Sequence, residues 1–147
     1  MTDLSFMVEI KLLASTDSHY LNDVADDVFD DPIVESAAQE FLNDPRHRLV
    51  IALDNNIVVG FVSGVIYVHP DKPAPELWIN EIGVAPTHQR HGIGKRLLQA
   101  VLEDARQAGC TEAWVLTERT NEAAMAMYKS AGGDESFPDP TMLTFKL

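Results

Sequence analysis

Apolar and polar positions alternate, cluster and break along this chain in a way that predicts most of its elements. Phe6 to Leu12 alternates enough for a first strand, and Asp17 or Ser18 can cap a helix running to about Phe29. Asp30-Asp31-Pro32 ends that helix, and Val34 to Leu42 forms a second, with Ala37, Ala38, Phe41 and Leu42 toward the core. Leu49 to Leu53 and Ile57 to Val68 are apolar strands joined by Asp54-Asn55-Asn56, residues that tolerate positive φ and predict a hairpin. His69 to Pro75 is too rich in proline for a strand and reads as a rigid loop before the strand Ile79 to Val84. Pro86 closes that strand. A helix then carries Ile93, Leu97, Leu98, Val101, Leu102 and Ala105 on one face. Glu112 to Thr117 reads as a strand, Asn121 to Gly132 as a helix, and Met142 to Leu147 as a last strand in which Leu143 and Phe145 alternate with polar neighbours. This order predicts a mixed α/β domain spanning 1–147, with a central sheet covered by helices.

Between the strand ending at Val84 and the helix starting near Ile93 lies Gln89-Arg90-His91-Gly92-Ile93-Gly94-Lys95-Arg96. Backbone N–H groups at a helix start lack intrahelical partners and carry the positive end of the helix dipole, so the run suits an anion such as pyrophosphate. Gly92 and Gly94 admit a close ligand, and Arg90, Lys95 and Arg96 add positive charge. Glycines before a helix also serve mere chain reversal, and the third glycine of a dinucleotide fingerprint and the Gly-Lys-Ser/Thr of a P-loop are missing.

The pattern Gln89-x-x-Gly92-x-Gly94 after a strand closely resembles the acetyl-coenzyme A loop of the GNAT superfamily of N-acetyltransferases. Asn121-x-x-Ala124-x-x-x-Tyr128 resembles that superfamily's other signature segment, with Gly132-Gly133 standing where the family usually has Gly-Phe. The resemblance covers about residues 48–133. It implies a GNAT acyl-coenzyme A N-acyltransferase fold of about six to seven strands and about four helices, with the strands of Glu81 and Trp114 splayed to admit the pantetheine arm. It implies acetyl-coenzyme A as co-substrate, held by Ile82, Gly83 and Val84, by the loop from Gln89 through His91 to Arg96, and by Asn121 and Ala124. A bulge at Gly83 would help the strand do this. Dimerisation is common in the family, which makes a homodimer an expectation, with the last strand as a candidate interface.

Composition narrows the partner. A single cysteine, Cys110, forms no internal disulfide and reads as a small buried filler. No apolar run is long enough to cross a bilayer, and Met1-Thr2-Asp3 lacks the basic flank of a signal peptide, which predicts a soluble, cytoplasmic protein with no membrane partner. The net charge of −12 argues against nucleic acid, and residues 1–50 hold eleven acidic against three basic residues. Asp27, Asp30, Asp31 and Glu35 belong to the densest cluster, which reads either as a solvated face or as a surface steering a cationic small-molecule amine.

Acetyl transfer from a thioester to an amine needs a base, a stabilised oxyanion and a proton for the departing thiolate. Glu81, in an otherwise apolar strand, is the candidate base; partial burial would raise its pKa, although a Glu on a wet strand face is the plainer reading. Tyr128 is the candidate acid, or else a core aromatic on an amphipathic helix. Glu118, just past a strand's carboxyl end, is a candidate acceptor contact. His69, His88 and His91 lie in separate loops without a Cys or carboxylate at ligand spacing, so no metal is expected.

Within the superfamily the chain most resembles the GNAT-type aminoglycoside 3-N-acetyltransferases, on Tyr67-Val68-x-Pro70, the loop after it, and Glu76-x-x-Ile79-x-Glu81-x-x-Val84. Those enzymes usually have Asp at the Glu81 position. A polyamine or a peptide amine fits the acidic surface equally. A coenzyme-binding module without catalysis, or an interaction protein, is the reading of another class.

Overall fold

The computed structural model describes residues 7–137 and 139–147. Its elements run β1 (Glu9–Leu12), a 3-10 turn (Ser18–Asn22), α1 (Glu35–Asn43), β2 (His47–Asp54), β3 (Ile57–Tyr67), β4 (Glu76–Val84), a second 3-10 turn (Pro86–His88), α2 (Ile93–Gln107), β5 (Glu112–Val115) and α3 (Glu122–Ser130). The strands form one sheet in the order β1-β2-β3-β4-β5. The first four pair antiparallel, and β5 joins β4 in parallel, with α2 as the crossover. Asn55 and Asn56, with φ of 50° and 65°, make the β2–β3 turn left-handed at both central positions, the geometry that matches strand twist.

The core lies on both faces of the sheet, one half of it between the sheet and α2. Ile93, Leu97, Leu98, Val101 and Ala105 are buried on the helix side, against Val50, Ala52, Val62 and Leu77 among the strand residues of the same cluster. Full burial of each large aliphatic stabilises by roughly 1.5–3 kcal/mol. A Cβ on Gly60 would lie 3.1 Å from Leu97 and 3.5 Å from Ile93, so α2 can sit close over β3 there. Phe61 points the opposite way, by the strand's alternation, and stacks on Phe29 with ring centroids 4.0 Å apart. The segment before α1 therefore covers the face that α2 leaves open.

Three expectations change. The helix expected from Asp17 to about Phe29 is a 3-10 turn followed by an extended stretch. The Val58 N–H donates to the Asp23 carbonyl at 2.8 Å and the Ala25 N–H donates to the Val58 carbonyl at 2.9 Å, forming a parallel bridge between Val24 and Val58. β4 ends opposite Gly60, so this side of Val58 would otherwise go unpaired, and pairing it outweighs the weak helix propensity of an Asp-, Asn- and Val-rich segment. Asp27 takes a left-handed φ of 60°, which also breaks a helix. The strand expected at Met142 to Leu147 is absent: the segment has no strand partner among the described residues, and Leu143 and Phe145 are 76% and 80% exposed. Alternation alone does not hold a strand without a partner edge. The described sheet accordingly has five strands, with three α-helices, rather than six to seven strands and four helices. Of the first strand, Phe6 lies outside the described residues, and β1 begins at Glu9.

Candidate functional site

β4 and β5 pair only from Glu76 to Ile79 on one side and Glu112 to Val115 on the other. From Asn80 to Val84, β4 has no strand partner on its β5 side among the described residues, since β5 ends at Val115; the bare edge opens as a V from the last pair, Ile79 and Val115. The pairing thus stops where the resemblance implied a splay between the strands of Glu81 and Trp114. Next to the apex, Ser63 pairs with Glu81 while Gly64 pairs with Ile79, which leaves Asn80 as the extra residue of a bulge. The bulge therefore falls at Asn80 and not at Gly83. Gly83 lacks a side chain for another reason: a Cβ there would lie 2.5 Å from the Val28 carbonyl oxygen and 3.0 Å from the Phe61 ring.

At the open end of the V, the chain turns through Arg90 (φ 66°) and Gly92 (φ 77°) into α2. No side chain caps this helix, and its first intrahelical bond of this turn is the Arg96 N–H to the Gly92 carbonyl at 3.1 Å. The N–H groups of Ile93, Gly94 and Lys95 precede that bond and point out of the helix start. Around Gly92 a Cβ would meet nothing within 4 Å, so the approach is open. Gln89 donates from its side-chain amide to the Val84 carbonyl at 3.1 Å, and His91 lies exposed within the loop.

Two loop residues act differently from expectation. A Cβ on Gly94 would lie 2.9 Å from the Met127 sulfur, so the absent side chain lets α3 pack onto α2 rather than admitting a ligand. The Arg96 guanidinium donates to the Val8 carbonyl at 3.0 Å and is drawn toward the chain before β1, away from the loop. The long, flexible arginine stem reaches that carbonyl while its backbone stays in the first turn of α2. Arg90 and Lys95 are left as the loop's cations.

Glu81 stands beside the apex and is exposed, because the bulge places it on the face opposite α2, beyond the buried Leu77 and Ile79. The partial burial expected for it is not found. Tyr128 is half-buried against the core, and burial pushes its hydroxyl pKa above the usual value near 10. Its neighbour Met127 is the residue that touches Gly94, the second residue of α2. The Asn121 side-chain oxygen accepts from the Ala124 N–H at 3.1 Å and caps α3, so a ligand would meet its amide nitrogen. At the other end of α3, the Gly133 N–H donates to the Tyr128 carbonyl at 2.9 Å, and a Cβ on Gly133 would lie 2.9 Å from that oxygen. The helix exit thus suits glycine where the family usually has Phe.

Asp27, Asp30, Asp31 and Glu35 all line a groove of about 750 Å³ between the first 3-10 turn, the following loop and α1. Val28 and Phe29, from the same loop, pack on Gly83 and Phe61, two residues along their strands from Glu81 and Ser63. The groove thus flanks the face of Glu81, although Glu81 does not line it. Glu118 is exposed beyond β5 and does not line the groove either. Asp54, which the residue pattern marks only as part of a turn, brings its carboxylate to 2.7 Å from the His88 imidazole at the start of the loop. An Asp before Asn-Asn reads as a turn former, and nothing local tells of a partner 34 residues on.

Residues 13–132 match the family model described as Acetyltransferase (GNAT) family. The chain is 36% identical over 105 residues to the N-alpha-acetyltransferase RimI of Mycobacterium tuberculosis, covering 71% of this chain and 63% of that protein. It is 33% identical over 61 residues to the ribosomal protein bS18-alanine N-acetyltransferase of Escherichia coli, covering 42% of this chain and 41% of that one. The chain therefore spans less than two thirds of the length of both. An aminoglycoside acetyltransferase from an uncultured soil metagenomic sample, solved with trehalose, shares the fold with a TM-score of 0.81 at 23% identity, over 98% of this chain and 100% of that one.

Proposed function

Since the chain belongs to the GNAT family of acetyltransferases, we propose that it transfers an acetyl group from acetyl-coenzyme A to a primary amine of a multiply charged cation, with an aminoglycoside as the acceptor and its 3-amino group as the target. One observation carries the coenzyme half of this reading: the unpaired β4 edge from Asn80 to Val84 runs between an uncapped helix start and Glu81. The residues suit the coenzyme. Open space at Gly92, the N–H groups of Ile93 to Lys95 and the charges of Arg90 and Lys95 fit a pyrophosphate, and the bare strand edge fits a pantetheine arm laid alongside it as an added strand would be. Bound there, acetyl-coenzyme A supplies an activated thioester acyl group.

Glu81 takes the proton of the incoming ammonium, directly or through water, which frees the nitrogen lone pair for attack. A backbone N–H of the Ile82 to Val84 edge faces the acetyl oxygen and stabilises the negative charge that develops on it. The Tyr128 hydroxyl, protonated at neutral pH as a tyrosine ordinarily is, donates its proton to the sulfur as the carbon–sulfur bond breaks. The acidic groove of Asp27, Asp30, Asp31 and Glu35 draws the cation toward this face, and Glu118 is a more distant contact.

A second reading has its own support. The 36% identity to RimI favours the α-amino group of a protein as acceptor. Thiol release from acetyl-coenzyme A, measured across aminoglycosides, spermidine and peptides with free amino termini, separates the two. Turnover confined to peptides replaces the aminoglycoside assignment, and failure to bind acetyl-coenzyme A at all removes both.

A further inference from the structure

A pair of indoles sits at the apex of the V. Trp78 and Trp114 are register partners on β4 and β5, and their rings stack with centroids 5.5 Å apart and planes 14° from parallel. Trp114 donates from its indole N–H to the Tyr67 hydroxyl at 2.5 Å, which fixes the outer ring. Strand register tells which face they occupy. Val65 pairs with Trp78 and Ser63 pairs with Glu81, and Ser63 and Val65 are two apart on β3, so Trp78 and Glu81 are neighbours on one face. The extra residue at Asn80 makes them so; in a regular strand, residues three apart would point to opposite faces.

Trp114 stays 37% exposed, so this stack is no sealed core contact. It lies where the paired part of the sheet ends, which is also where an acyl group carried along the bare β4 edge from the loop would arrive. Carboxylates flank it along β4: Glu81 toward the open V, and Glu76, held against His69 and opposite Glu112, on the other side. An indole face attracts a cation, more so beside carboxylates in a chain of net charge −12.

We propose that Trp78 and Trp114 form one wall of the acceptor subsite and select an acceptor with a second positive charge close to its reacting amine, a role that rests on the transferase reading above. Trp114, stacked on Trp78, is then a specificity residue. Its exposed face holds the second cation while Glu81 receives the first.

The test compares kanamycin, as the multiply charged probe, with butylamine, as a monoamine, at saturating acetyl-coenzyme A. Trp114→Leu is expected to raise KM for kanamycin about tenfold and for butylamine less than about twofold, while Trp114→Phe, which keeps an aromatic face, stays within about threefold of wild type. A stack that only packs β4 on β5 would shift both KM values together, and that result overturns the proposal. A second readout does not depend on turnover. These two are the only tryptophans in the chain, so the wild-type emission reports on this stack alone. Titration with kanamycin is expected to shift that emission at concentrations near its KM, and an unchanged spectrum at saturation overturns the proposal. If wild type releases no thiol with any amine, the transferase reading fails separately, and the titration still decides whether the stack binds a polycation.

Discussion

The imidazole of His88 lies 2.7 Å from the carboxylate of Asp54, at the end of β2, while its other ring nitrogen lies 2.8 Å from the Thr87 hydroxyl. Both side chains are mostly covered, 16% and 23% exposed, so the contact is little screened by water. It fastens the segment leading into the loop before α2, the proposed coenzyme loop, to the β2–β3 turn. A loop held at its entrance presents its N–H groups without having to be ordered by the ligand.

Asp54→Asn is therefore expected to raise KM for acetyl-coenzyme A about threefold to tenfold, the worth of one ordinary hydrogen bond, with kcat near wild type. Steady-state kinetics with varied coenzyme checks this. A fall in kcat with KM unchanged would show that the pair serves something other than the loop.

Glu81→Gln removes the proposed base without removing bulk. Turnover is expected to fall about 100-fold or more at neutral pH, with the unfolding midpoint unmoved because the side chain is exposed. The same assay run at higher pH should narrow the gap, since more amine is then neutral without help. Unchanged turnover at neutral pH removes Glu81 as the base.

Tyr128 gives a pH test with a definite sign. Burial raises its folded pKa above the value near 10 expected unfolded, so the hydroxyl is neutral in both states below that pH and costs nothing there. As pH rises past the unfolded value, the unfolded chain ionises first and stability falls. Urea unfolding of wild type and Tyr128→Phe is expected to give a constant difference from neutrality to about pH 9, and above about pH 10 a decline peculiar to wild type. Parallel curves across the whole range would contradict the burial seen here.

Two glycines should respond unequally to a methyl group. Gly83→Ala sets a Cβ 2.5 Å from the backbone oxygen of Val28, which cannot swing aside, and is expected to destabilise by about 1–3 kcal/mol while displacing the acidic loop. Gly94→Ala meets the end of the flexible Met127 side chain at 2.9 Å and is expected to cost less than about 1 kcal/mol. Denaturant unfolding of the two variants ranks them, and equal losses would mean that the Val28 contact is not rigid.

Residue order alone determined the hairpin at Asn55-Asn56, the amphipathic α2, the helix start at Gly92 and the cap at Asn121, because each depends on propensity, periodicity or left-handed φ within a few neighbours. It also offered Glu81 and Tyr128 as candidates, through motif and spacing. Tertiary structure decided the rest. Whether residues 17–29 coil into a helix or lie along β3 depends on an unpaired Val58 backbone, and whether 142–147 forms a strand depends on a partner edge. Arg96 left the loop for a carbonyl 88 residues away, Asp54 met His88 across 34, and the bulge at Asn80 turned Trp78 and Glu81 to one face. Such pairings are set by which backbone and side-chain groups remain unsatisfied once the sheet has formed, and local sequence does not encode that remainder.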